Sequence, residues 1–284
     1  MRPPIRPRKS SSHRADPSAI DGDLILTGTV SRVSGTQARS GPHAGADPVE
    51  VVERPSPNFG ERRGVAEPSL VVLHYTGMET AEAALERLCD PECEVSAHYL
   101  IDREGTVHQL VEESKRAWHA GAGRWAGHDD INSLSIGIEL DNDGGSSFAA
   151  PMMAALETLL ADILTRYRLD PKAVIGQSDI APDRKADPGR RFDWRRLARR
   201  GLAIWPEPSL EGDFLRHAAI FGYPTKHGEP VVLDAFRQRF RPDATGPIGP
   251  ADRAMMAGLA RHFPADVSER MTRRTPSRPL RQLD

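Results

Sequence analysis

Apolar runs and their spacing divide the middle of this chain into alternating strands and helices. The continuous apolar run at Leu70–Tyr75 predicts a buried strand, and so does a shorter run at residues 173–175. Residues 95–101 and 106–111 flank a tight turn with a glycine near its end, which predicts a β-hairpin. Apolar and polar residues alternate in the first half of residues 134–141, which indicates one more strand.

Two amphipathic helices are predicted between these strands. Thr80 is a good N-cap, and the apolar positions after it predict a helix that ends before Asp90. Pro151 suits the first turn of a second helix, in which apolar residues recur at steps of three and four. Those residues are Met153, Leu156, Leu160, Ile163 and Tyr167. The alternation of strands and helices predicts an α/β fold.

The pattern changes after residue 204. Residues 205–208 have the composition of a linker, and three helical segments follow at residues 210–221, 231–240 and 251–263. Three short helices in about sixty residues predict a small three-helix bundle that folds as a separate module. We therefore expect a main domain over residues 51–204 and a helical domain over residues 205–265.

The two ends of the chain lack apolar periodicity. Residues 1–50 are rich in Ser, Arg, Pro and Gly, which predicts a disordered tail, and residues 266–284 read as a basic tail. The first sixteen residues have no apolar core of a secretory signal. We expect a cytoplasmic protein on this ground, or one of the periplasm or cell envelope if the start site is misassigned.

Composition narrows the range of partners and cofactors. The formal net charge of −2 for 284 residues gives no reason to expect nucleic acid. No apolar stretch approaches the ~20 residues that span a bilayer. Cys89 and Cys93 are the two cysteines. Their spacing allows a local disulfide or two metal-binding thiolates, but two ordinary thiols beside a loop are the simpler interpretation.

Five polar residues are candidates for a shared site. His74 and Glu139 lie in two predicted strands, and a third strand leads to Gln177, so the three side chains can meet at one end of a sheet. A lone strand histidine is commonly a core imidazole, but an unpaired carboxylate in an apolar strand costs several kcal/mol, so Glu139 needs a partner or a task. Lys185 and Asp187 project to one side of an extended loop, either as a surface ion pair or as part of the same site.

Five motifs carry a resemblance to a known family. They are LHY (73–75), SAHYLID (96–102), WHAG (118–121), SIGIE (135–139) and DIAPDRKADPG (179–189). Together, over residues 55–200, they resemble the zinc-dependent N-acetylmuramoyl-L-alanine amidases, which are related in fold to peptidoglycan recognition proteins. The resemblance implies a central mixed β-sheet flanked by helices. The segment 205–265 is similar to the peptidoglycan-binding domain that often follows such amidases.

The resemblance also implies roles for the candidate residues. His74 and Asp187 would be zinc ligands, Glu139 the general base and Lys185 the group that stabilises the oxyanion. Three protein ligands leave one zinc position for water, which becomes more acidic there. A carboxylate beside that water can take its proton, and a fixed cation can face the developing oxyanion. The implied partners are peptidoglycan or muropeptide fragments.

Gln177 departs from the family, whose members carry His as the second zinc ligand at this position. An amide oxygen suits calcium better than zinc, so a His74, Gln177 and Asp187 site should bind Zn²⁺ more weakly. His98 and His119 are the imidazoles of the matching motifs that could replace the missing ligand. The motifs instead imply that each of them is a structural residue or a residue of the substrate-groove wall.

Aromatic residues of the motifs suggest the wall of a sugar-binding groove. We expect Tyr99 and Trp118 to join His98 and His119 as substrate-binding residues. Trp125 is a further candidate, and for Trp118 and Trp125 alike packing beneath a long loop is equally open.

Two functions from different classes follow. The first is a peptidoglycan amidase that hydrolyses the amide bond between N-acetylmuramic acid and the L-alanine of the stem peptide with a metal-activated water. The second is a non-catalytic muropeptide-binding protein that has lost its zinc site. Glu139, Lys185 and Asp187 have no reason to persist in a pure binder, so their presence favours the enzyme.

Overall fold

The computed structural model of the chain describes residues 51–265. The tails predicted for residues 1–50 and 266–284 lie outside this range. Between its limits the chain forms eight strands. In chain order they are β1 (Val51–Glu53), β2 (Phe59–Glu61), β3 (Leu70–Tyr75), β4 (Tyr99–Ile101), β5 (Val107–Gln109), β6 (Lys115–Ala117), β7 (Ser135–Leu140) and β8 (Val174–Gly176).

Eight α-helices and three 3₁₀ turns complete the same part of the chain. The helices are α1 (Ala81–Cys89), α2 (Ile131–Leu134), α3 (Ala150–Arg166), α4 (Gln177–Ile180), α5 (Trp194–Arg199), α6 (Phe214–Phe221), α7 (Glu229–Phe240) and α8 (Pro250–His262). The 3₁₀ turns are Pro91–Cys93, Pro171–Ala173 and Thr225–His227. None of these helices is long and apolar enough to cross a membrane.

Six strands form one mixed sheet in the order β1-β5-β4-β7-β3-β8, and β2 pairs with β6 in a small antiparallel sheet. The predicted hairpin is present as the antiparallel pair β4 and β5, while β4, β7, β3 and β8 run parallel to one another. The α/β fold with a central mixed sheet flanked by helices is thus confirmed.

The sheet is covered on both faces, as its apolar strands require. On one face, α3 packs against side chains such as Val71 and Ile138. On the other, α1 packs near Leu100, while the helices beyond residue 204 cover Val72 and Ile175. Alternation along each strand decides which residues belong to which face.

Local capping explains where the helices start. Thr80 caps α1 as predicted, since its side chain accepts a hydrogen bond from the backbone N–H of Ala83. The predicted helix at 210–221 begins later, at Phe214, because the Asp213 side chain accepts from the N–H of Arg216. The three predicted C-terminal helices are present as α6, α7 and α8.

These C-terminal helices do not have a core of their own. Phe214, Phe221, Phe236 and Phe240 share one buried cluster with Ile175 of the central sheet. The three-helix domain predicted for residues 205–265 therefore packs directly on the domain predicted for residues 51–204. Whether either part folds alone stays a prediction.

Candidate active site

Parallel strands place the first two site residues side by side. His74 of β3 and Glu139 of β7 are register partners, so their side chains leave the same face of the sheet at the carboxyl end of both strands. His74 is 1% exposed. The sequence predicted that these residues meet, and the register explains why.

The third donor comes from the end of β8. As predicted, a strand leads to Gln177, and directly after it the chain forms one helical turn, α4, which starts at Gln177. The Nε2 amide of Gln177 donates to the backbone carbonyls of His119 and Ala120, each at 3.2 Å. Because these acceptors fix the amide orientation, the side-chain oxygen must face Nδ1 of His74, 3.2 Å away.

Asp187 completes the group from the loop beyond α4. Its Oδ2 lies 3.1 Å from His74 Nδ1, and its side chain is 5% exposed. The backbone N–H of Ser178 donates to the carbonyl of Asp187 at 2.9 Å, and the Asp187–Pro188 peptide bond is cis. The structure thus brings together all three residues that the family resemblance assigns to the metal.

The hydrogen bonds around His119 determine the tautomers of both imidazoles. The hydroxyl of Ser135 donates to the carbonyl of Ile131, so it accepts from Nε2–H of His119. The Nδ1 atom of His119 is then an acceptor, and it receives Nε2–H of His74 at 3.0 Å. In neutral His74 this leaves a lone pair on Nδ1.

Three acceptor atoms therefore converge on one point. In neutral His74 the Nδ1 lone pair faces the oxygens of Gln177 and Asp187, an arrangement that either a proton on Nδ1 or a bound cation satisfies. Burial opposes protonation of His74, but the carboxylates of Glu139 and Asp187 outweigh it and raise its pKa. For His119, burial and the neighbouring His74 hold the pKa well below its usual value, which keeps that ring neutral.

Glu139 and Lys185 stand beside this group without partners. The Oε2 atom of Glu139 is buried and accepts no hydrogen bond. Burial and the charge of Asp187 raise the pKa of Glu139, against the opposing effect of His74 and Lys185. No hydrogen bond or ion pair within residues 51–265 engages the Lys185 ammonium, although it lies in the same pocket. An unpaired carboxylate and an unpaired ammonium are available to a ligand.

The pocket around these groups has a volume of about 440 Å³ and is lined by Glu139, Lys185, Asp187, Trp118 and His119. The last two were predicted to bind substrate, and their place in the pocket is compatible with that prediction.

His98 and Tyr99 require a correction. His98 is 0% exposed and Tyr99 5%. His98 Nδ1 accepts from the N–H of Gly137, and the Tyr99 hydroxyl donates to Glu113 at 2.9 Å. Both side chains face buried partners instead of the pocket, because Tyr99 lies in β4, which is covered on both faces, and His98 directly precedes this strand. The prediction that they bind substrate is wrong.

Two other predicted features also lie away from the pocket. Trp125 is 6% exposed and packs edge-to-face against Phe221 and Tyr223, so it has a packing role. Cys89 and Cys93 are free thiols. Across residues 51–265, no three His, Cys, Asp or Glu side chains are placed to hold a metal. At the convergent point His74 and Asp187 are two such side chains, but the third donor is the amide of Gln177.

Two features that shape the site were not predicted from the sequence. A Cβ atom at residue 137 would lie 2.4 Å from Cγ of His119, so only glycine lets this imidazole reach His74 across the sheet. A glycine inside a strand pattern was the available signal. The second is the pairing of His119 with His74, which nothing in the local sequence indicates.

Comparison with known proteins places this geometry in a family. The family model described as N-acetylmuramoyl-L-alanine amidase matches residues 64–190. Among characterised relatives, N-acetylmuramoyl-L-alanine amidase AmiD of Escherichia coli is 34% identical over 209 residues, which cover 61% of this chain and 75% of AmiD. The chain belongs to the N-acetylmuramoyl-L-alanine amidase family.

The chain is also similar to particular members of this family. The 1,6-anhydro-N-acetylmuramyl-L-alanine amidase AmpD of Haemophilus influenzae is 33% identical over 159 residues, covering 50% of this chain and 86% of AmpD. A solved structure of E. coli AmiD with the substrate anhydro-N-acetylmuramic acid-L-Ala-D-gamma-Glu-L-Lys is 31% identical, with a TM-score of 0.59 and coverage of 72% and 96%. AmpDh3 of Pseudomonas aeruginosa is 30% identical, with a TM-score of 0.64 and coverage of 75% and 96%.

Proposed function

We propose that this chain hydrolyses the amide bond between N-acetylmuramic acid and the L-alanine of the stem peptide. The observation that carries the proposal is the meeting of an unpaired Glu139 and an unpaired Lys185 beside the convergent acceptors of His74, Gln177 and Asp187. Solved relatives hold anhydromuramyl peptides, including AmpDh3 in complex with an anhydromuramic pentapeptide, which supports a muropeptide as the substrate.

The residues of this chain divide the reaction among them. Glu139 is placed to take a proton from the attacking water, and its raised pKa suits it to return that proton to the leaving amine. Lys185 supplies a positive charge for the oxyanion that forms on the scissile carbonyl. His119 holds the His74 ring through Nε2–H, and Ser135 holds His119 in turn.

The donor set at the convergent point fits a divalent cation. His74 Nδ1, Gln177 Oε1 and Asp187 Oδ2 would hold it, with one negative charge among them. The chemistry that zinc supplies when bound is acidification of water and polarisation of the carbonyl. Because Gln177 offers a neutral oxygen in place of an imidazole nitrogen, we propose that the chain binds Zn²⁺ more weakly than a site with two histidines does.

A second candidate is a muropeptide-binding protein without catalysis. The replacement of the second imidazole by Gln177 is the observation that favours it. Under this alternative Glu139 is a buried carboxyl with a raised pKa and no function. Its burial would lower the stability of the fold without contributing to activity. The enzyme therefore remains the better-supported function.

Muropeptide hydrolysis by purified protein tests the choice. Zinc-supplemented wild type should release L-Ala-peptides from anhydromuropeptides, and Glu139→Gln should lower kcat by about 10²–10⁴-fold with little change in substrate affinity. Glu104→Gln, at an exposed glutamate, is the matched control and should retain full activity. Muropeptide binding without release by wild type, together with release by Gln177→His, would establish the binding protein instead.

We further propose that the helical segment 205–265 contacts the wall polymer. The matches to AmiD and AmpDh3 extend beyond residues 64–190, which supports a shared C-terminal region in these amidases. Co-sedimentation of the full chain with insoluble peptidoglycan tests this. Charge reversal at exposed positions of α6 and α7, such as Arg216→Glu, should weaken sedimentation and leave hydrolysis of soluble muropeptides unchanged.

A further inference from the structure

A buried ion pair joins the C-terminal helices to the turn that carries Gln177. Asp179 of α4 is 0% exposed. Its Oδ2 accepts hydrogen bonds from Nη1 of Arg239 at 2.7 Å and from the backbone N–H of Gly176 at 2.9 Å. Its Oδ1 accepts from the hydroxyl of Tyr223 at 2.6 Å. Two of the three donors thus belong to the part of the chain beyond residue 204.

Arg239 is itself held firmly. Its side chain is 1% exposed, and its Nη2 donates to the carbonyl of Val174 in β8 at 2.8 Å. Its guanidinium lies over the rings of Trp194 and Phe240, with 4.3 and 4.8 Å to the centroids. An arginine is seldom buried without such pairing. The cation therefore ties α7 to both the last strand of the sheet and the turn after it.

The same turn sets the positions of two donors of the site. Gln177 precedes Asp179 by two residues on α4, and Ser178 N–H binds the carbonyl of Asp187. A Cβ atom at residue 176 would lie 2.7 Å from Cδ of Pro188, so the turn and the Asp187 loop are in close contact. A displacement of Asp179 must therefore reach both Gln177 and Asp187.

We propose that Arg239 is a positioning residue for the active site, and that the C-terminal helices set the geometry of Gln177 and Asp187 through it. The catalytic consequence rests on the proposed amidase function, whereas the positioning does not. Loss of groups that orient metal ligands typically lowers metal affinity or activity about 10–100-fold.

The chain offers a matched control on the same helix. Arg237 and Asp252 form another buried pair, with Nη2 to Oδ2 at 2.6 Å and side chains 7% and 0% exposed. Arg237 also donates to the carbonyls of Gly246 and Pro247. All of these partners lie within the C-terminal helices and their loops. Breaking this pair perturbs the helices without touching the active-site turn.

The test compares full-length Arg239→Met with Arg237→Met in three measurements at a temperature where both are folded. These are hydrogen exchange of residues 174–188, Zn²⁺ affinity by competition with a chromophoric chelator, and kcat and KM on a soluble anhydromuropeptide. Arg239→Met should exchange faster over residues 174–188 and lose about 10–100-fold in Zn²⁺ affinity and kcat. Arg237→Met should match wild type in all three, even if its melting temperature falls equally.

Equal behaviour of the two variants over residues 174–188 would overturn the proposal and leave Arg239 a purely structural residue. If Arg239→Met does not fold, Tyr223→Phe removes one donor to Asp179 and keeps the ring, and wild-type exchange in that variant would likewise count against positioning. Arg239→Lys retains a cation and should restore part of the protection. If the wild type does not hydrolyse the muropeptide, only the amidase function is contradicted. The comparison of hydrogen exchange over residues 174–188 still decides whether Arg239 positions the active-site turn.

Discussion

The Nδ1 atom of His74 lies 3.2 Å from the side-chain oxygen of Gln177, and hydrogen bonds on the far sides of both residues turn two acceptor atoms toward each other. Two lone pairs repel each other at this distance unless a positive charge lies between or beside them. Gln177 therefore keeps its acceptor where a second imidazole nitrogen would otherwise be. We therefore expect glutamine at this position to weaken the proposed cation site without removing it.

The first prediction concerns metal affinity at this position. Gln177→His should raise Zn²⁺ affinity by about 10-fold or more, because an imidazole is a better zinc ligand than an amide oxygen. Gln177→Met keeps the length of the side chain, removes the oxygen and should lower affinity below wild type. Competition with a chromophoric chelator measures all three proteins. Equal affinities of wild type and Gln177→Met would mean that the oxygen is not a ligand.

The second prediction concerns the glycine beneath His119. Gly137→Ala puts a methyl group 2.4 Å from Cγ of His119, so the ring must leave its place against His74. We expect a loss of about 1–3 kcal/mol in the free energy of unfolding, as for other overpacked cores, together with a loss of hydrolysis. Denaturant unfolding and muropeptide release measure the two effects.

Gly60→Ala is the matched control for this change. Gly60 also lies in a strand, and a Cβ atom there has no neighbour within 4 Å. Gly60→Ala should change neither the free energy of unfolding nor the rate of muropeptide release appreciably. If both variants behave alike, the close approach of His119 is not what requires a glycine at residue 137.

The third prediction concerns acid stability of the C-terminal helices. Burial alone would raise the pKa of Asp252, but hydrogen bonds from Arg237, Gly249 and Arg241 lower it from 3.8 to about 2. The stability that this carboxylate contributes is present above pH ~4 and is lost as the pH falls through ~2. The difference in unfolding free energy between wild type and Asp252→Asn should thus shrink by about 2 kcal/mol over that range. A difference that stays constant from pH 4 to pH 2 would contradict the lowered pKa.

The fourth prediction concerns removal of the C-terminal helices. Deletion of residues 207–284 uncovers Val72 and Ile175 and removes their buried partners, among them Phe214, Phe236 and Phe240. Burial of each large apolar side chain contributes about 1.5–3 kcal/mol, and a domain is stable by only about 5–15 kcal/mol. The shortened chain should therefore lack a cooperative thermal transition. A chain ending at Ala265 keeps every contact described here and should unfold cooperatively.

Much of the fold followed from the sequence because strand and helix periods are local properties. The pairing of His74 with Glu139 was also predictable, since parallel strands end at the same edge of a sheet. The helical turn at Gln177 was not, because four residues carry no periodicity. The burial of His98 and Tyr99 was missed because a sequence motif does not show which way its side chains face.

The ion pair between Asp179 and Arg239 shows a second limit of prediction from the sequence. The two residues are separated by sixty positions, and no local pattern pairs them. One sign was available, since Arg239 follows Phe236 by three residues and precedes Phe240 by one, which puts a charge on the apolar face of α7. A charge on a buried face requires a partner. The identity of that partner could come only from the three-dimensional structure.

The carbonyls of His119 and Ala120 that receive the Gln177 amide are also suitable acceptors for the N–H of an imidazole at the same place. Glutamine and histidine codons differ in a single third-position base. If the proposed cation site binds metal, a single point mutation would therefore exchange the weaker site for a stronger one, with the carbonyls of His119 and Ala120 as acceptors for either residue.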